Sequence, residues 1–434
     1  MAIPQERPGT GCALHGALHS ATAIPGVVPI LHATPGCGVQ SYHGGLAAGW
    51  ATPGPAGGLA VPATNLSEKH IVFGGGSRLR EQIKNTLKMI DGRLYVVLTS
   101  CAIEMIGDDV PALTKEARDQ GHPILEISTA GFHGSAPEGY DLFLRGILAQ
   151  HAVLGPVGPE DLTLVTILGI VPGQDVFWQA ELEEWSRLLA GIGLRANPVF
   201  GLAGGVDGLR DLARAGLTLV LSPWGAGVAQ ALEERFGIPW VDAGGLPVGA
   251  AASAEVLRTV AARLRRVADA GEAFIAAETR REDHFLQRLA DAYFRLGLQR
   301  EFALVAGSSQ AVGLTRFLTG VLGWLPRAIV VTDAPPEAAR GVIASDLAGL
   351  GDGARILFTG DAAEIADAVA ESGAEIVLGR AFDRSAAARL GVPLVEVAYP
   401  VLGRLALDKG LSGNRGALTL IGEISRAILA AEHR

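Results

Sequence analysis

The stretch that decides the fold is Leu94-Tyr-Val-Val-Leu-Thr-Ser-Cys101-Ala-Ile-Glu-Met-Ile-Gly-Asp-Asp-Val110. Residues 94–99 form an apolar, β-branched run with no polar face. Such a run suits a strand covered on both sides, as in a parallel sheet. Ser100 and Cys101 then make a short turn, and a helix begins there. Strand, turn and helix are the first half of a βαβ unit. The same pattern recurs on either side. Candidate strands lie at 27–32, 71–73, 162–170 and 217–221, and later at 302–306, 328–332, 355–358, 375–378 and 394–397. Helical stretches at 77–89, 178–190 and 254–270 fall between them. This alternation predicts an α/β protein of doubly wound parallel sheets. The strands are too many for one sheet, so three Rossmann-like domains in series are expected, at 1–155, 156–298 and 299–434. Residues 49–62, rich in Gly, Pro and Ala, read as a loop, and 155–159 as a linker. Residues 270–299 read as a long charged helix bridging two lobes.

Composition narrows the classes. The chain has 434 residues, 49% of them hydrophobic, with a net charge of −9. Its mean hydropathy of +0.30 fits many buried strands and a large subunit interface. Scattered Lys and Arg argue against a nucleic-acid partner, which needs a basic face. No run of about 18 or more apolar residues suggests a membrane helix. Residues 1–10 lack the basic and apolar regions of a signal peptide, so a cytoplasmic location is expected.

Chemistry concentrates in the first quarter of the chain, where all three cysteines lie: Cys12, Cys37 and Cys101. The odd count argues against a disulfide framework, and no C-x-x-C pair supports a zinc site. Cys37, in H-A-T-P-G-C-G, follows an apolar strand as Cys101 does. Ligand sites of open parallel sheets lie off the carboxyl ends of strands. A helix N-terminus there favours thiolate. Gly36 and Gly38 leave room for a cluster to approach the backbone. Three thiolates are one short of a usual cubane site, and a second chain could supply the remainder. The alternative is three core cysteines.

H-A-T-P-G-C-G, V-F-G-G-G (72–76), T-S-C-A-I-E-M-I-G-D-D-V, F-H-G-S-A-P-E-G-Y-D (132–141) and N-R-G-A-L-T-L-I (414–421) together resemble the nitrogenase molybdenum–iron protein superfamily. The resemblance implies an α-type and a β-type subunit in an α2β2 heterotetramer. Each subunit supplies three cysteines to an 8Fe-7S P-cluster at their interface, and Cys12, Cys37 and Cys101 match those ligands. Ser135 matches a serine that ligates the oxidised cluster, or else caps a turn. Phe73 matches an aromatic facing the ATP-dependent iron protein, or else is a core strand residue. The α-type subunit holds the catalytic iron–sulfur cofactor through a mid-chain cysteine and a late histidine. This chain has no cysteine after Cys101 and no histidine between His284 and His433, so it resembles the β-type subunit, with no catalytic residue of its own. His15, His19 and His32 read as hydrogen-bonding neighbours of the site rather than ligands.

Within the superfamily, retention of all three cysteines points to a catalytic complex. Two features depart from a standard nitrogenase β subunit. S-Y-H-G-G-L-A-A-G-W (41–50) replaces a basic stretch, and Cys12 comes with almost nothing before it. The resemblance is then to the nitrogenase-like methylthio-alkane reductases, which cleave C–S bonds. A dinitrogen-reducing β subunit and a cofactor-assembly scaffold are the alternatives. The glycine turns at 74–81 and 305–313 complete neither a P-loop nor a dinucleotide fingerprint, and read as turn geometry. Asp108 and Asp109, adjacent on a helix, diverge in direction and read as solvated or subunit-contacting.

Overall fold

The computed structural model describes residues 9–49, 61–264, 269–351 and 353–432, which leaves most of the expected 49–62 loop outside the described residues. β1 (Val27–His32), β2 (Leu94–Thr99) and β3 (Ile124–Ile127) form the first sheet in the order β1-β2-β3, all parallel. β1 and β2 are buried along their whole length, as the unbroken apolar runs require. Alternate residues serve opposite faces. Leu94, Val96 and Leu98 pack with Leu14, Leu18, Tyr140 and Phe143, whereas Tyr95 and Val97 pack with Leu79, Ile83 and Val110. Right-handed crossovers put helices Gly76–Met89 and Val110–Asp119 on one face. The other face is closed by Ala13–Thr22, which precedes the sheet, and Ala136–Ala149, which follows it.

β4 (Asp161–Leu168), β5 (Arg195–Asn197), β6 (Ala215–Val220) and β7 (Trp240–Asp242) form the second sheet, ordered β5-β4-β6-β7. β8 (Glu301–Ala306), β9 (Leu325–Val331), β10 (Arg355–Phe358), β11 (Ile376–Gly379) and β12 (Leu394–Glu396) form the third, ordered β10-β9-β8-β11-β12. All pairings are parallel, and both orders reverse beside the first strand of the sheet. That reversal is the doubly wound arrangement. Helix Asp269–Arg295 bridges as expected: Phe274 and Ile275 join the core around the second sheet, and Leu286, Leu289 and Tyr293 join that of the third.

Three strands escaped the sequence pattern. β5 and β7 have three residues each, Arg-Ala-Asn and Trp-Val-Asp, too short for periodicity to register. β3 carries Glu126 within Ile-Leu-Glu-Ile, where its carboxylate meets Arg118 at 2.9 Å. The strand expected at 71–73 is instead the end of a short helix, Glu68–Phe73. Ser67 caps that helix and pairs with His70 at 3.0 Å, and this local bonding overrides the β-propensity of Ile71-Val72-Phe73.

Candidate metal centre

The first sheet's register brings the cysteine segments together. His32 pairs with Thr99, and Leu98 with Ile127, so all three strands end at one edge of the sheet. From that edge the chain enters helix Pro35–Leu46, whose third residue is Cys37, and helix Cys101–Ile106, whose first is Cys101. Cys12 arrives from the other face, immediately before helix Ala13–Thr22. It is held by an antiparallel bridge to Ser135, with Ala13 N–H donating to Gly134 O at 2.8 Å and Ala136 N–H to Gly11 O at 2.7 Å. All three thiols are free, with Cys101 exposed and the other two half-buried.

Gly131 sits between two of them. A Cβ at Gly131 would lie 3.2 Å from Cys101 Sγ and 3.4 Å from Cys12 Sγ. The Gly131 N–H donates to Cys101 Sγ at 3.0 Å, the kind of bond that stabilises a thiolate ligand. Glu104 holds the loop in place. Its carboxylate accepts from Thr99 Oγ1 at 2.6 Å and Ala130 N–H at 3.1 Å, and pairs with His133 Nε2 at 2.6 Å. Neither Gly131 nor Glu104 was singled out in the sequence. Only the close spacing of Gly131 and Gly134 hinted at a tight approach.

A Cβ at Gly36 meets nothing within 4 Å, so the Cys37 turn is as open as expected. The Cys37 thiol differs from expectation in its ionisation. Burial pushes it up, and the nearby Cys12 and Cys101 thiols add repulsion, against a smaller opposing bond from Thr34. Desolvation therefore outweighs the helix N-terminus until a cation is present. Among the described residues no three His, Cys, Asp or Glu side chains close on a single metal ion. The thiols instead line an open edge of the chain. The three sulfur donors and the side-chain-free position at Gly131 fit a sulfur-ligated cluster.

The other residues singled out in the sequence have the following surroundings. Ser135 caps helix Ala136–Ala149, its hydroxyl on Glu138 and its N–H donating to Glu138 Oε2 at 2.8 Å, while its backbone bridges Cys12. Phe73 is 87% exposed, which removes the core reading. Val72, Met105 and Phe132 are exposed too, on or beside the elements that carry the site. His15 Nδ1 lies 3.4 Å from Cys12 N and 3.8 Å from its Sγ. His19 Nε2 faces the Ser41 carbonyl at 3.3 Å. His32 spans Thr64 and Asp108, at 3.1 Å each. Asp108 is therefore not solvated: it also accepts the Gly75 N–H at 2.9 Å and ties the turn after Phe73 to the end of β1. Asp109 caps helix Val110–Asp119.

Three parallel sheets in series, with three free cysteines at the carboxyl edge of the first, define the class of α/β protein. Residues 12–429 match the family described as nitrogenase component 1 type oxidoreductase, and the chain belongs to that family. It is 23% identical to the nitrogenase molybdenum–iron protein beta chain of Clostridium pasteurianum, over 97% of this chain and 93% of that one. It is 24% identical to the corresponding beta chain of Methanothermobacter marburgensis, over 97% and 94%. It is also 24% identical to a nitrogenase iron–molybdenum cofactor biosynthesis protein of Klebsiella pneumoniae, over 97% and 91%. The solved structure of nitrogenase Cp1 at pH 6.5 shares the fold, with a TM-score of 0.81 at 20% identity, covering 99% of this chain and 94% of that one.

Proposed function

We propose that this chain is the electron-relaying β-type subunit of a nitrogenase-like reductase. Cys12, Cys37 and Cys101 hold its half of an 8Fe-7S P-cluster shared with an α-type subunit in an α2β2 complex. The observation that carries this reading is that Cys12 and Cys101 both approach Gly131, where no side chain intervenes, while Cys37 lies near enough to feel both thiols. When bound, such a cluster supplies one-electron steps at low potential. The chain's own residues set its surroundings. Gly131 N–H donates to the Cys101 sulfur, Glu104 fixes the loop that carries that donor, and the buried His15 ring packs beside the Cys12 sulfur. Phe73 offers an exposed aromatic to the ATP-dependent iron protein. Ser135, whose backbone bridges Cys12, would be a further ligand of the oxidised cluster. The catalytic cofactor sits in the α-type partner.

The reaction we assign to the complex is reductive C–S cleavage of methylthio-alkanes. Two electrons and two protons convert the thioether to a thiol and a hydrocarbon. The purified complex, with its iron protein, ATP and a low-potential reductant, is given a methylthio-alkane under argon or dinitrogen alone. Thiol release coupled to ATP hydrolysis is expected. Ammonia formation without thiol release would assign dinitrogen reduction instead. A second reading, a cofactor-assembly scaffold, rests on the 24% identity to the biosynthesis protein and would give neither product.

A further inference from the structure

Beyond the carboxyl ends of the second and third sheets the chain encloses a cavity of about 50 Å³. Its wall includes Asp175 beyond β4, Trp224 beyond β6, Gln310 beyond β8, and Thr332 and Asp333 beyond β9. Open parallel sheets place their ligands in such crevices. The polar lining consists of carboxylates, amides, hydroxyls and an indole, and includes no Lys, Arg or His among the described residues.

Polar groups in this wall lack partners. Gln310 is only 6% exposed, and its side-chain amide has no hydrogen bond among the described residues. Asp333 Oδ2 accepts from Trp224 Nε1 at 2.8 Å and from Ser308 Oγ at 2.7 Å, but its Oδ1 is buried with no partner. Asp175 Oδ2 accepts the Val171 N–H at 2.6 Å. Buried polar groups are rarely left unbonded, because desolvation is costly. Burial also pushes both carboxyls up, Asp175 to about 7, with Glu181 and then Asp333 adding repulsion at Asp175. Two half-buried carboxyls raised in this way, with no cation among the lining residues, are charged only at a cost. An anion would meet the same carboxylates, so the glycine turn after β8 is no phosphate cradle.

We propose that this cavity binds one hard divalent cation, Ca²⁺ or Mg²⁺, through the carboxylates of Asp175 and Asp333 and the amide oxygen of Gln310. Hard cations take oxygen donors of this kind, with water completing the shell. The volume suits an ion with a few waters, at roughly 10–15 Å³ for each. Binding joins a residue beyond β4 to one beyond β9, and so ties the second sheet to the third. The site stands apart from the thiol reading and does not depend on it.

The test uses the full-length chain in its purified complex, dialysed free of both cations. CaCl₂ and MgCl₂ are titrated by calorimetry, and Tb³⁺ by luminescence excited through tryptophan, with Trp224 beside Asp333. One saturable site per chain is expected. Asp175→Asn should abolish it, and Gln310→Ala should weaken it roughly tenfold or more with the circular dichroism unchanged. No saturable binding up to about millimolar cation, or binding in Gln310→Ala and Asp175→Asn equal to that of the unaltered chain, would overturn the assignment.

Discussion

Gly131 controls the space between Cys12 and Cys101, because any Cβ there enters the gap between their sulfurs. Gly131→Ala should lower cluster occupancy while shifting the melting temperature by only a few degrees, as the loop is part-exposed. Iron content and thermal unfolding of the same preparation check both halves of that statement. Cys37→Ala or Cys101→Ala should remove the cluster and turnover together; full iron content in either variant would remove that residue from the ligand set. Phe73→Ala should leave iron content and stability unchanged, since the ring is 87% exposed, and should slow ATP-coupled turnover by weakening the docking of the iron protein. A large fall in melting temperature with normal affinity for the iron protein would contradict the docking role. His19 provides a pH test. Burial pushes its imidazole down to about 4 from an ordinary 6.5. Between those values the unfolded chain takes up a proton that the folded chain refuses. The stability His19 contributes is thus complete above pH 6.5 and lost as pH falls to about 4, an effect of up to about 3 kcal/mol. Denaturant unfolding of His19→Gln should show a flatter decline across that window. Cys37 and Cys101 stood out because each rare residue followed an apolar strand, whereas Cys12, ahead of the first helix, stood out only through the family resemblance. Gly131 and Glu104 were not, because their roles exist only once residues thirty positions apart meet.

Helices Ala13–Thr22 and Ala136–Ala149 cross at glycines, and this contact sets the height of Cys12 above the sheet. A Cβ on Gly16 would lie 1.7 Å from Ala136 O, and one on Gly139 would lie 2.0 Å from Ala13 O. Backbone atoms cannot yield as a flexible side chain can. Gly16→Ala or Gly139→Ala should therefore push the helices apart and destabilise the chain by at least about 1–3 kcal/mol. It should also displace Cys12 and Ser135 from the edge, measurable as a changed rate of thiol alkylation at Cys12 in the metal-free protein. A rate equal to that of the unaltered chain would mean that the helix contact does not position the site. At this scale the long strands were readable from their apolar runs, and the charged helix Asp269–Arg295 from its length. The segment 71–73 misled because three β-prone residues say less than the Ser67–His70 cap that precedes them. β5 and β7 are set by their neighbours in the sheet rather than by their own sequence.

The three sheets share no visible sequence repeat, yet each was foreshadowed by strand–turn–helix alternation, so the architecture was more legible than the partner-dependent site. Cys101 is exposed, and Val72, Met105 and Phe132 present apolar surface beside it. On the proposed function this face is covered by the α-type partner. The chain expressed alone should therefore be poorly soluble or free of cluster, and a stable monomer with an intact cluster would contradict the shared-site account. The most direct measurement is iron and acid-labile sulfide per chain in the complex purified without oxygen with its α-type partner, after subtracting the partner's own cofactor. The account predicts about eight irons per interface, lost when any one of Cys12, Cys37 or Cys101 is replaced by alanine. About four irons would point to a simpler cluster, and none, with all three cysteines present, would contradict the central claim.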